Sequence, residues 1–297
     1  MADRLILGCG YVGREVALRW LNRGDRVVAV TRSEDRAQEL CGQGILPICW
    51  NWYEDFSGNV ELSECSTVLI SVSHAAQPHL PAAETHVAGL ERLVNSSLGS
   101  SLRSAKWIYL STTGVYGETG DSDWVDENSP CSPSRPGSVA AWAAEQWIQQ
   151  RIQPLQHLIL RPAGIYGPGR VPNWKNIRDA TPLAIDPDSY LNLVHVTDLA
   201  ECIVEMADRA CQHELYCLSD GSPATRGEYY SFIAELGGWP QPVFSQDSST
   251  LPTSSRKSGN KRVCSERLHR EISYRFQYPT YREGLRHILH EFLEKDS

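Results

Sequence analysis

Lysine is scarce in this chain. Of 28 basic residues only five are lysines, Lys106, Lys175, Lys257, Lys261 and Lys295, and the other 23 are arginines. Long basic runs are missing too, and the net charge is −8, which makes nucleic acid and anionic membrane poor partners. No segment has the composition of a membrane span. The longest stretch without Asp, Glu, Lys or Arg, Cys65 to Ala83, carries two histidines, two prolines, a glutamine and several serines. The apolar run Leu5-Ile6-Leu7 is far shorter than the ~7–15 residues of a secretory leader's core, so a cytoplasmic location is expected. The nine cysteines include no C-x-x-C pair and read as free thiols in a reducing compartment. Cys211-x-His213 and His287-x-x-His290 come nearest to ligand spacing, but neither is part of a cluster, so no metal is expected.

Hydrophobic residues make up 41% and charged residues 22%, enough for a folded core. Apolar, β-branched runs alternate with helical patterns through the first half. Strands are predicted at Arg4–Leu7, Arg26–Val30, Ile45–Cys49, Thr67–Val72, Lys106–Leu110 and Leu155–Leu160. Helices are predicted at Val12–Leu21, Glu34–Leu40, Ala82–Ser97 and Ser138–Gln150. Such alternation implies a parallel sheet covered on both faces. Beyond it, Pro162–Pro187 is rich in glycine and proline, and Leu191–Val196 reads as a strand followed by a helix over Asp198–Arg209. Leu215–Leu218 is a short strand, Gly227–Leu236 a helix, Pro240–Asn260 an exposed loop, and Leu285–Leu293 a last amphipathic helix.

The strongest local motif is Gly8-Cys9-Gly10-Tyr11-Val12-Gly13, a G-x-G-x-x-G between the first strand and the first helix. Gly8 permits the tight turn, Gly10 the approach of a pyrophosphate, and Gly13 close helix–strand packing. The amides that open the helix, from Tyr11 and Val12 onward, face the phosphates with the helix dipole behind them. The fold class expected is therefore α/β, a Rossmann doubly wound parallel sheet with a smaller C-terminal α+β substrate-capping region. Its parts are residues 1–160 for the dinucleotide, 161–190 as a substrate-side insertion, 191–220 as a returning strand and helix, and 221–297 as the cap. The second strand ends Val30-Thr31-Arg32-Ser33 without an acid at its tip. Arg32, assisted by Arg36, is placed to grip a 2′-phosphate, so NADP is favoured over NAD.

Three further segments come in a family's order. Tyr109-Leu-Ser111-Thr112-Thr113-Gly-Val115-Tyr116-Gly117 resembles the Y-x-S-S/T-x-x-V-Y-G motif of extended short-chain dehydrogenases/reductases. Leu160-Arg161-Pro162-Ala-Gly-Ile-Tyr166-Gly167-Pro168-Gly169 is similar to their L-R-P-x-x-I-Y-G-P-G, and Asn192-Leu-Val-His195-Val-Thr-Asp198-Leu-Ala200 to their N-x-V-H-V-x-D-L-A. The resemblance covers nearly the whole chain and is strongest to an atypical branch, the NAD-dependent epimerase/dehydratases. The segment from Lys261 to Leu285 also resembles that branch. It implies that Thr112 is the catalytic hydroxyl, that Ser71, Val72 and Ser73 lie along the cofactor, and that Pro162 passes the nicotinamide. It also implies a structural role for His195 and Asp198, with Asp198 capping a helix that starts at Leu199. Ala82–Ser97 and Ser138–Gln150 correspond to the family's dimer surface, so a homodimer is expected.

The family's chemistry rests on a Tyr-x-x-x-Lys pair, in which lysine lowers the tyrosine pKa and tyrosine moves the proton. With Glu145 taken as the helix acid of this region, the two positions fall on Gly137 and Ala141. No tyrosine lies between Gly117 and Ile165 and no lysine between Trp107 and Trp174. Ser111, Thr112, Thr113 and Tyr116 retain hydroxyls nearby, His74 can titrate near neutrality, and Arg135 supplies charge but cannot shuttle protons. Arg161, Arg170, Asn173, Trp174, Lys175 and Arg178 form a cationic set suited to a phosphorylated or carboxylated ligand. The insertion is short for a nucleotide-sugar substrate. Two readings remain: an NADP-dependent oxidoreductase acting on a small carbonyl or alcohol, and a non-catalytic NADP(H) sensor. Epimerase or dehydratase chemistry ranks third.

Overall fold

The computed structural model describes residues 2–56, 58, 62, 64–119, 123–245 and 260–295, with side chains to residue 289. In the first half the elements are β1 (Asp3–Leu7), α1 (Tyr11–Asn22), β2 (Arg26–Thr31), α2 (Glu34–Gly42), β3 (Leu46–Cys49), β4 (Cys65–Ile70), α3 (Ala82–Asn95), β5 (Lys106–Leu110), β6 (Asp123–Val125), α4 (Pro136–Arg151) and β7 (His157–Pro162). The second half adds β8 (Gly164–Tyr166), α5 (Trp174–Arg178), β9 (Tyr190–Leu191), β10 (Leu193–His195), α6 (Val196–Asp208), β11 (Leu215–Leu218), β12 (Ala224–Thr225), α7 (Arg226–Gly237), β13 (Lys261–Val263), α8 (Glu266–Glu271) and α9 (Tyr281–Lys295).

Seven parallel strands form the main sheet in the order β3-β2-β1-β4-β5-β7-β11. The strands are continuous apolar runs because both faces are covered. One face packs Val16, Ala17 and Trp20 of α1 and Leu199, Ile203 and Met206 of α6. The other packs Leu90 and Leu93 of α3 and Ala144 and Ile148 of α4. The strand order reverses between β1 and β4, so a crevice opens at their carboxyl ends, where such sheets bind ligands.

Several expectations need correction. The boundary at residue 160 falls inside β7, so Arg161 and Pro162 belong to the main sheet rather than to an insertion. The segment 191–220 returns only β11 to that sheet; β10 pairs instead with β8. The remaining short pairs, β9 with β12 and β6 with β13, stitch the last third of the chain to the middle third. Most of the predicted loop at 240–260 (residues 246–259) lies outside the described residues.

Asp198 is not a helix cap. His195 holds that position, its Nδ1 accepting from the Thr197 N–H at 3.2 Å. The Asp198 carboxylate instead accepts from Tyr274 Oη at 2.6 Å and from the amides of Gln277 and Tyr278. It pins the segment that leads into α9. That helix joins α5 and α7 around Tyr166, Tyr229 and Tyr281 in a separate apolar cluster. Gly284 is required there, since a Cβ would lie 2.2 Å from the Tyr166 hydroxyl.

Burial shifts three groups in this framework. It pushes the Asp220 carboxyl up to about 7 and the imidazoles of His86 and His195 down to about 4. Between about 4 and the ordinary 6.5, the unfolded chain binds more protons at the two histidines, so they make stability rise with pH. Between the ordinary 3.8 and about 7, the folded chain binds more at Asp220, so that residue makes stability fall with pH and its full penalty stands above 7. Asp220→Asn keeps an oxygen for the Ser222 N–H. It is expected to raise unfolding free energy above pH 7 by an amount on the order of a few kcal/mol, and to change it little below about pH 4. Urea titrations at the two pH values measure the difference.

Candidate active site

The crevice between β1 and β4 is built by the glycine motif. Gly8 has φ +84°, and a Cβ on it would lie 2.6 Å from the Ser71 carbonyl oxygen. The two chains can touch here only because Gly8 has no side chain. Gly13 plays the same part toward the Gly8 carbonyl, also at 2.6 Å. A Cβ on Gly10, by contrast, would meet nothing within 4 Å, so that position faces open space. The first-turn amides of α1, at Tyr11, Val12 and Gly13, have no intrahelical acceptor and point into it. Close packing at Gly8 and Gly13 thus leaves room at Gly10, at a helix start of the kind that suits an anion.

At the end of β2, Thr31 Oγ1 accepts from the Ser33 N–H and Ser33 Oγ from the Arg36 N–H, which turns the chain into α2. Arg36 leans over the glycine loop, with Nη2 3.4 Å from the Cys9 carbonyl and Nη1 on Glu39. Arg32 is exposed at the strand tip. Across the cleft mouth, the Tyr11 hydroxyl donates to the Pro168 carbonyl at 3.1 Å, and Arg170 lies over the Tyr11 ring. Ser71, Val72 and Ser73 continue from β4 along the crevice, and the Ser71 amide is held by the Leu7 carbonyl at 2.8 Å. Pro162 ends β7 and is buried.

The hydroxyls after β5 separate sharply. Thr112 is half-buried, and its Oγ1 accepts from the Gly114 N–H at 3.0 Å, which leaves its proton available. Ser111 donates its proton to Glu145, and the Tyr116 hydroxyl accepts from Arg161 at 2.9 Å and meets Cys217 Sγ. Burial holds the Tyr116 phenol far above its ordinary range. Of the hydroxyls counted as candidates in the sequence, those of Ser111 and Tyr116 are thus committed to a buried network, and that of Thr112 is not. The reason is a fully buried ion pair. Glu145 on α4 takes Arg161 through both carboxylate oxygens, and the Arg161 guanidinium lies over the rings of Tyr116 and Trp142. Burial opposes the arginine's charge, but the bonds and charge of Glu145 outweigh it and raise its pKa. Arg161 thus leaves the expected cationic set. Of the others, Asn173 donates to the Tyr230 hydroxyl, while Lys175 and Arg178 lie over the Trp174 ring, itself stacked on Trp239.

Helix α4 contains neither tyrosine nor lysine. Gly137 sits in its first turn, and Ala141 is buried against Tyr116, Cys217 and Val263. Two lysines do reach functional places. Lys106 caps α6 through the carbonyls of Met206 and Arg209, both at 2.6 Å. Lys261, carried in by β13, donates to the Gly117 carbonyl at 3.0 Å beside the V-Y-G turn. Burial, with the charge of Arg135, lowers its pKa. Its place was hidden in the sequence because it depends on the pairing of β13 with β6. Among the described residues, no three His, Cys, Asp or Glu side chains form a metal set, and no helix is long and apolar enough to cross a membrane.

A family profile for the "NAD dependent epimerase/dehydratase family" matches residues 5–216. The chain belongs to that family. A curated relative from Stigmatella aurantiaca, 4-hydroxy-2-methyl-3-oxo-4-farnesyl-3,4-dihydroquinoline-1-oxide ketoreductase, is 27% identical over 243 residues, 78% of this chain and 72% of its own. A conserved protein of unknown function from Silicibacter pomeroyi DSS superposes with TM-score 0.79 at 27% identity, covering 98% of this chain and 99% of that one. The dTDP-glucose 4,6-dehydratase of Bacillus anthracis, solved in complex with NAD, has TM-score 0.77 at 16% identity and covers 100% and 98%; that likeness is one of fold. The family binds nicotinamide dinucleotide, and the crevice described above fits it.

The two glycines give a clean contrast. Gly10→Val is expected to fold with near-native unfolding free energy yet lose nucleotide affinity at least tenfold, since its side chain fills the cradle. Gly8→Ala is expected to lose stability as well, because its Cβ meets the Ser71 backbone at 2.6 Å. Calorimetric titration and urea unfolding of both variants separate the effects.

Proposed function

We propose that the protein is an NADP(H)-dependent reductase of small carbonyl compounds, the reverse alcohol oxidation being the same reaction. The observation that carries this is the pairing of one cradle and one free hydroxyl. Beside the Gly10 space stand Arg36, which leans over the glycine loop and also pairs with Glu39, and the exposed Arg32 at the tip of β2, and these two cations suit a 2′-phosphate. At the other end of the crevice the Thr112 proton is uncommitted and can polarise a carbonyl oxygen. The ketoreductase named among the relatives supports the reaction class. When bound, the dinucleotide supplies a hydride equivalent. The protein binds, orients and excludes water: the α1 amides take the pyrophosphate, Arg32 and Arg36 the 2′-phosphate, and Thr112 the substrate oxygen.

The second reading, a sensor of the NADP(H) state, is favoured by one observation, an α4 without tyrosine or lysine. It predicts tight binding and no turnover.

Arg32→Ala is expected to weaken NADPH by about tenfold or more and NADH little, a difference worth about 1.4 kcal/mol per decade; equal losses in a fluorescence titration speak against the 2′-phosphate contact. With NADPH and a panel of aldehydes and ketones, oxidation followed by nicotinamide absorbance is expected to fall about a hundredfold in Thr112→Ala. Tight binding without turnover across the panel would select the sensor.

A further inference from the structure

We propose that His74, on the loop after β4, is the proton donor that serves this site in place of a side chain at Gly137. The inference rests on the carbonyl-reductase reading above and names the acid that reading lacks.

Three observations place the imidazole there. First, a Cβ built on Gly137 would lie 3.5 Å from His74 Cβ and 3.8 Å from its Cγ and Cδ2. The first turn of α4 is bare at this position, and the histidine from the neighbouring loop lies against it. Second, the same turn borders Thr112. A Cβ on Gly114 would lie 3.2 Å from Thr112 Oγ1 and 2.5 Å from the Oγ of Ser138, the residue after Gly137. Loop 71–74, the Thr112 hydroxyl and the α4 start therefore close one corner of the crevice. Third, the ring is oriented. Thr85 Oγ1 gives its proton to the Ala82 carbonyl at 2.9 Å and lies 3.3 Å from His74 Nδ1. With its proton spent, the Thr85 oxygen accepts from Nδ1–H, which leaves Nε2 as the nitrogen that gains and loses a proton. Nε2 has no hydrogen-bond partner among the described residues. The Nδ1 edge faces α3, and the Cδ2 edge faces the first turn of α4.

On α3 the next imidazole, His86, has its ring centroid 6.0 Å away. Burial first, and the charge of His74 second, keep it neutral, while its Nδ1 bonds the Tyr109 hydroxyl at 2.8 Å. On the α4 side the charged residue is Arg135, two positions before Gly137, and the loop itself adds His79. Among the carboxylates of these elements, Glu84 stands next to Thr85 on α3 and Glu145 lies two turns further along α4.

The step balances simply. As the carbonyl carbon takes a hydride from reduced nicotinamide, the Nε2–H bond of imidazolium breaks and an O–H bond forms on the substrate oxygen. The carbonyl becomes an alcohol, His74 is left neutral, and solvent returns its proton. Thr112 holds the oxygen during the transfer.

The test is His74→Gln, which keeps an amide donor of similar reach but cannot pass a proton. Expected results are a fall in kcat of about a hundredfold with KM and NADPH affinity nearly unchanged. A readout free of turnover is 15N NMR of the imidazoles in the cofactor-free protein. In the neutral imidazole of His74 the proton should sit on Nδ1 and not on Nε2, and Thr85→Val should remove that bias. An undiminished kcat in His74→Gln, or a His74 that keeps its proton on Nε2 at high pH, overturns the proposal while leaving the reductase reading intact. A wild-type protein that reduces nothing on the carbonyl panel overturns the reading itself, and this inference with it.

Discussion

The ion pair between Glu145 and Arg161 is the constraint around which the cleft floor is arranged. Neither residue has water to fall back on: Glu145 is 0% and Arg161 2% exposed. Removing one partner would strand the other charge in the core, at a cost of roughly 3–5 kcal/mol, so every neighbour is committed to satisfying the pair. Ser111 gives it a proton, Tyr116 takes an N–H from it, and Trp142 supplies a ring face. Three segments thereby acquire one relative position: the end of β5, the α4 helix and β7. The same commitment occupies the hydroxyls of Ser111 and Tyr116 and leaves the Thr112 proton uncommitted.

The pair also explains why α4 cannot regain a lysine one turn before Glu145. Ala141 is closed in by Tyr116, by Cys217 of β11 and by Val263 of β13. A long cationic side chain there would displace three packed elements or bury an unpaired charge. Positive charge reaches the cleft by other routes instead, through Lys261 on β13 and the arginines at the tip of β2. An arginine-biased composition fits this plan, since arginine binds phosphate and carboxylate well but holds its proton too tightly to act as an acid.

The main sheet was legible in the sequence because local periodicity and buried, β-branched runs dictate it; Lys106–Leu110 and Leu215–Leu218 fall where expected. The glycine turn was legible because its motif is local, although Gly8 itself answers to Ser71, far along the chain. What escaped was set by distant partners. Arg161 looked like a substrate cation and proves to be a core residue, because its acid lies on another element. Asp198 looked like a helix cap and proves to anchor residues 274–278, some 76 to 80 positions on. The pairs of β6 with β13 and β8 with β10 involve three residues on each strand, too few to leave a pattern. His74 was visible as a loop histidine, but its contact with Gly137 depends on how α3 and α4 pack.

The pairing of β13 with β6 has a consequence in time. The residues that would hold the dinucleotide's phosphates all fall between Gly8 and Arg36, whereas the Lys261-to-Gly117 contact joins positions 144 apart. A chain emerging from the ribosome exposes its phosphate-binding turn early and can close the substrate side only after β13 has followed. The order of synthesis thus separates completing the glycine turn from closing the cleft beside it.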